Sequence, residues 1–158
     1  FIKTTPPDHE SIARMLKWRC GITHPSIILR KVMLERVGGY RDCFGDLADY
    51  DLYVRLLLAG ARFAAVQEPL VLFRVSHEQR IRRGGWRYAW RELAFRRFCA
   101  QAGFLSPILF ATTTPVTMGF RLAPPRLKKF LYGFVRTKPA GDVTSDLVPT
   151  PSRSARHD

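Results

Sequence analysis

From Asp8 to Trp18 the apolar residues recur at helical spacing, with Ile12, Met15, Leu16 and Trp18 on one face, after a loop marked by Pro6 and Pro7. The run His24-Pro25-Ser26-Ile27-Ile28-Leu29-Arg30 is short, apolar and rich in β-branched residues, which predicts an extended strand. Lys31 to Val37 fits a short helix, and Gly38-Gly39 should end it, because glycine takes the left-handed C-cap conformation readily. The clearest helical pattern runs from Asp46 to Ala59, with Leu52, Leu56 and Leu57 on one face, Arg55 on the other and Gly60 closing it. Two strand-like runs follow, 62–66 and 70–75, separated by a turn at Glu68-Pro69. Trp86 to Ala102 reads as a second long helix, basic on its polar side, with Trp86, Trp90, Phe95 and Phe98 expected in the core.

After Gly103 the pattern changes. Residues 104–120 are largely apolar but interrupted by Pro107, Pro115 and several threonines, and they fall short of the ~20 residues a membrane-spanning helix needs. Residues 121–136 set Leu127, Phe130, Leu131 and Phe134 beside Arg126, Lys128, Lys129 and Arg136. An apolar face next to a cluster of cations suits a helix lying in a headgroup layer. From Lys138 the chain is rich in Pro, Ser, Thr and Arg, the composition of a disordered tail. The pattern therefore divides the chain into 1–103, 104–137 and 138–158, with no internal repeat.

Composition narrows the class. A chain of 158 residues with 46% hydrophobic content suits one packed domain rather than a disordered protein. The formal net charge of +13 calls for an anionic partner: nucleic acid, anionic lipid headgroups or phosphorylated substrates. Cys20, Cys43 and Cys99 are widely spaced and form no CxxC pair, which argues against a disulfide framework or a zinc site and points to a reducing, cytoplasmic setting. The chain opens at Phe1 without a basic-then-apolar leader, as a fragment, a processed protein or a trimmed sequence would.

Four short blocks carry a more specific signal. Gly38-Gly39-Tyr40-Arg41 precedes Ala48-Asp49-Tyr50-Asp51-Leu52-Tyr53-Val54-Arg55, with Phe44 between them. Upstream stands His24-Pro25-Ser26-Ile27-Ile28-Leu29-Arg30, and downstream Glu68-Pro69-Leu70-Val71-Leu72-Phe73-Arg74-Val75. In this order they resemble the family 2 glycosyltransferases: a GGY turn before an acidic helix start, an HP-[ST] segment, and an EPL strand ending in an arginine. The resemblance covers roughly residues 20 to 80. It implies an α/β fold, the C-terminal half of a GT-A domain, followed by amphipathic C-terminal helices. It also implies an inverting transfer of sugar from a nucleoside-diphosphate donor to a glycan or lipid-linked acceptor, in cell-surface polysaccharide or glycolipid synthesis. That family's D-x-D metal motif has no fitting match, since Asp49-Tyr50-Asp51 belongs to the helix start. A magnesium or manganese ion would accordingly be held mainly by an N-terminal, donor-binding half outside this sequence.

The resemblance also assigns roles. Asp49 aligns with the general base that takes the acceptor proton, a task a rigidly held carboxylate suits. The bland alternative is helix capping by the Asp46-Leu47-Ala48-Asp49 stretch and its dipole. Ala48 stands where relatives carry a second acid. Asp51 and His24 are candidates to orient the acceptor, each with a structural role as its rival. Arg74, Arg80, Arg82 and Arg83 are candidates to clamp the diphosphate, as fixed-charge arginines do bidentately; the run Gln79 to Arg83 resembles the Q-[QR]-x-R-W motif only weakly, with Arg83 in place of tryptophan. His77 is the candidate metal ligand, although it sits one residue past the usual position, and in a strand that shift turns a side chain to the other face. The basic C-terminal region suggests peripheral contact with anionic membrane at the inner face of the cell membrane. The rival class is a non-catalytic basic module binding membrane or nucleic acid, through Arg80, Arg82, Arg83, Arg87, Arg91, Arg96 and Arg97. Nucleic acid is the weaker partner, because no base-reading motif is present.

Overall fold

A computed structural model describes residues 4–71 and 85–123. Helix α1, His9–Trp18, begins where Asp8 accepts a hydrogen bond from the Ser11 amide at 2.9 Å, which also lowers the carboxyl's pKa. It buries Ile12 and Leu16, while Trp18 remains exposed. Helix α2, Lys31–Arg36, ends where the Gly39 amide reaches back to the Leu34 carbonyl at 2.9 Å. Gly38 and Gly39 sit at φ 75° and 68°, a left-handed conformation that side chains resist, so this pair turns the chain sharply.

Helix α3, Ala48–Leu58, follows a 3-10 turn at Gly45–Leu47 and is the centre of the molecule. Tyr50 through Val54 and Leu56 are all buried, so neighbours cover the helix on nearly every side. Helix α4, Trp86–Gln101, lays Phe95 against Tyr50 with ring centroids 4.7 Å apart and against Phe44 at 5.4 Å. The Tyr50 hydroxyl donates to the Leu16 carbonyl and so ties α3 to α1. Phe104 and Leu105 also join this core. Trp86 and Trp90 do not: they form an edge-to-face pair and stay 60% and 52% exposed, contrary to the core placement expected from their spacing. Helical spacing identifies residues that share a face but leaves open which face is covered.

Helix α5, Pro107–Leu122, is continuous despite Pro115. Ser106 caps it, Pro107 occupies the first turn, where a missing N–H costs nothing, and the threonine hydroxyls bond back to carbonyls one turn earlier. It packs on α4 through polar groups. The buried Arg96 guanidinium donates to the hydroxyls of Thr113 and Thr114, and Arg121 reaches the buried Glu92 at 2.6 Å. Arg96 therefore faces another helix and is withdrawn from the surface set expected to meet phosphates. No helix among the described residues is long and apolar enough to cross a membrane.

The expected strands are a second departure. Among the described residues there is no β-strand, and the α/β architecture is not seen in them. His24–Ser26 forms a 3-10 turn instead, in which the Ser26 amide bonds the Thr23 carbonyl and Pro25 offers no N–H for a ladder. Residues 62–66 are extended in alternation, Phe63 and Ala65 facing inward, yet their amides serve the start of α1: Phe63 N donates to His9 Nδ1, and Ala65 N to the Pro7 carbonyl. The amphipathic stretch 124–136, the tail, and most of the run 70–75 lie outside the described residues.

Candidate active site

The site is built at the head of α3. Asp49 lies in the first turn and is partly exposed; the Tyr50 amide donates to its Oδ1 at 2.9 Å. Leu47 is the N-cap residue and offers no side-chain bond, while Asp46 turns outward to Arg91 at 3.8 Å.

Asp51, two residues on, has a different environment. Its carboxylate is fully buried and shared by two guanidiniums, with Arg41 donating at 2.5 and 3.0 Å and Arg55 at 2.8 Å. Arg55 then donates to the Val37 carbonyl, and to the Gly39 carbonyl at 2.8 Å. The result is a bolt joining the glycine turn to α3. Both Asp51 oxygens are thus engaged, and the residue has no exposed surface. Arg41 is partly exposed and lies over the Phe98 ring at 5.0 Å, which carries the bolt on to α4.

The bolt fixes the position of a small polar cluster. Tyr53 lies one helical turn beyond Asp49, on the same face of α3. Its hydroxyl is hydrogen-bonded to His24 Nδ1 at 2.8 Å, and Tyr40 Oη lies 3.4 Å from His24 Nε2. The rings of His24 and Tyr40 meet edge to face, 5.6 Å apart. Burial raises the Tyr53 phenol pKa, and Cys20, Asp49 and Tyr40 add to that in smaller measure, so the hydroxyl keeps its proton. The structure thus gathers Asp49, His24, Tyr40 and Tyr53 at one place.

Arg74, His77, Arg80, Arg82 and Arg83 lie outside the described residues. Among the described residues, no three His, Cys, Asp or Glu side chains come together as a cation site, so no step is routed through a metal held there. The site-directed reading of the sequence passed over Arg41, Tyr40 and Tyr53. Asp51 and Arg55 could have been paired from their spacing of four, but Arg41 meets Asp51 only through the fold.

The chain is similar in sequence to known glycosyltransferases. Over 126 residues the chain is 30% identical to the UDP-Gal:alpha-D-GlcNAc-diphosphoundecaprenol beta-1,3-galactosyltransferase of Escherichia coli, covering 80% of the chain and 46% of that protein. It is 29% identical over 133 residues to an uncharacterized glycosyltransferase of Haemophilus influenzae, covering 82% of the chain and 48% of that protein. It is 25% identical over 134 residues to the amylovoran biosynthesis glycosyltransferase AmsE of Erwinia amylovora, covering 83% and 49%. The chain spans about half the length of the curated relatives it matches. These likenesses support a glycosyltransferase family and a glycosyltransferase role. No family model matches the chain, and no solved structure gives a significant match.

Proposed function

We propose that this chain is the acceptor side of an inverting, family 2 glycosyltransferase with a GT-A catalytic domain. The observation that carries the reading is the partly exposed Asp49 carboxylate at the head of a buried helix, clamped in place by the Arg41–Asp51–Arg55 bolt. In the reaction an acceptor hydroxyl attacks the anomeric carbon of the donor. The new carbon–oxygen bond forms as the bond to the nucleoside diphosphate breaks, and its electron pair leaves with the diphosphate. Asp49 accepts the hydroxyl proton as attack proceeds, because the oxygen becomes nucleophilic only as that proton departs. The donor would be held by sequence beyond this chain, together with the arginines of 74–83.

The acceptor is a glycan or a lipid-linked sugar, by analogy with the relative whose name specifies an undecaprenol-linked GlcNAc. The direct test is turnover of a panel of UDP-sugars on an α-GlcNAc diphosphoryl lipid by the product of the complete gene. Asp49→Asn should lower kcat by about 10²–10⁴-fold, the range a positioned base contributes. Full activity in that variant, or no turnover across the panel, sinks the reading.

A lipid-linked acceptor places the enzyme at the membrane surface. On α5, Ile108, Val116 and Leu122 are exposed on the face away from α4, just ahead of the cationic 124–136 sequence. Sedimentation with vesicles of anionic lipid should fall by several-fold when Ile108 and Val116 are changed to Ser. Unchanged sedimentation would remove α5 from the contact.

A further inference from the structure

His24 is bracketed by two tyrosines of opposite exposure. Tyr53 is fully buried, and among the described residues its hydroxyl has one hydrogen bond, to His24 Nδ1 at 2.8 Å. A buried hydroxyl whose proton finds no acceptor is costly. Among the described residues His24 Nδ1 is the hydrogen-bond partner this hydroxyl has, so the Tyr53 proton is directed at Nδ1. A neutral imidazole has one donor and one acceptor nitrogen, and if Nδ1 accepts, the ring proton lies on Nε2. That N–H faces outward, where Tyr40 Oη at 3.4 Å makes a long contact that a better acceptor could replace. Tyr40 is itself 51% exposed and stands edge to face with the imidazole. An exposed aromatic ring, an outward N–H donor and a carboxylate one helical turn from the buried tyrosine make a small site with both polarities of hydrogen bonding.

We infer that His24 and Tyr40 form the acceptor-sugar subsite beside Asp49, with Tyr53 holding His24 in its Nε2–H tautomer. This rests on the glycosyltransferase reading for the identity of the ligand, a sugar ring carrying neighbouring hydroxyls. In the subsite, one sugar hydroxyl oxygen accepts from His24 Nε2–H, the apolar flank of the ring lies on Tyr40, and the adjacent hydroxyl is directed to Asp49. Tyr53 touches no sugar and is a positioning residue.

The test begins on the full 158-residue chain, labelled with ¹⁵N, at about pH 8, well above the ordinary histidine pKa near 6.5. Long-range ¹H–¹⁵N spectra, with the His24 signals assigned by His24→Asn, should show one tautomer with the proton on Nε2. Tyr53→Phe keeps the ring in the core and removes only the hydroxyl, so the signals should move toward a mixture of both tautomers. A wild-type ring protonated on Nδ1, or a Tyr53→Phe ring still on Nε2 alone, overturns the positioning role. Titration with methyl α-N-acetylglucosaminide should then shift the His24 signals saturably, with affinity about 3- to 10-fold weaker in Tyr53→Phe, the scale of one hydrogen bond. No binding, or equal affinity in wild type and His24→Asn, overturns the subsite. In the complete enzyme, His24→Asn should raise the acceptor KM more than it lowers kcat. If the sugar binds as described but no donor is turned over, the transferase reading fails and the subsite stands; if turnover depends on Asp49 but the acceptor KM ignores His24, the reverse holds.

Discussion

Two regions of this molecule bury charge, and they do so to different ends. At the head of α3, Asp51 is sealed between Arg41 and Arg55, and the arginines extend the lock to the glycine turn and to α4. Beside it, Asp49, Tyr40 and the outward edge of His24 remain open to a ligand. Between α4 and α5, Arg96 is also buried and donates to the hydroxyls of Thr113 and Thr114, and Arg121 covers Glu92 while lying over Tyr88 at 4.6 Å. The first network holds a site in register; the second sets the packing of two helices.

The contrast can be broken from its strongest end. Asp51→Ala leaves two guanidiniums facing a cavity and releases the Val37–Gly39 turn, so urea unfolding should show a loss of about 3–5 kcal/mol. A loss below about 1 kcal/mol would mean the bolt is ornamental. The same experiment at Asp49, as Asp49→Asn, should change stability only slightly, about 0.3–1 kcal/mol from the helix dipole, while acting on catalysis. That separation of stability from activity is the sharpest form of the comparison.

Thr113→Val keeps side-chain volume but takes one hydroxyl from Arg96, and should cost about 1–3 kcal/mol as a buried donor loses its partner. Activity of the complete enzyme should not change in step with it. If catalysis collapses while the fold holds, the α4–α5 network serves the site after all.

The smallest effect is at Cys99, buried at the junction of the core, whose thiol burial pushes up to about 12 from 9.0. Because the folded state then holds its proton where the unfolded state releases it, stability should fall as pH rises from about 9 toward 12. Below 9 the thiol has no effect on the pH profile. At pH 8, iodoacetamide should modify the exposed Cys43 and leave Cys99 untouched until unfolding. Equal reaction rates at the two would show that the core opens far more often than its packing suggests.

Much of this was legible in the chain. The helices from Asp8 and from Trp86 lie where apolar spacing puts them, and the glycine pair ends α2 as left-handed backbone requires. Asp49 stood out through its motif, and it does sit accessible at a helix head. Local pattern failed where a partner outside the segment decides the outcome. The apolar run from His24 had strand composition, but without a neighbouring strand among the described residues its backbone closed into a 3-10 turn. Trp86 and Trp90 had core spacing, but they pair with each other and stay more than half exposed.

What the sequence determined by itself were the quantities set within a few residues: helical periodicity, the glycine turn, the cationic balance, and the acid at the start of α3. What only the tertiary structure decided was how two acids spaced two apart acquire opposite fates. A helix turns by about 100° per residue, so Asp49 and Asp51 point roughly 200° apart. One is partly exposed on the face that carries Tyr53, and the other is closed by two arginines. Which side is closed depends on Arg41 and Arg55 meeting there, and on a core that packs α1 and α4 around the same helix.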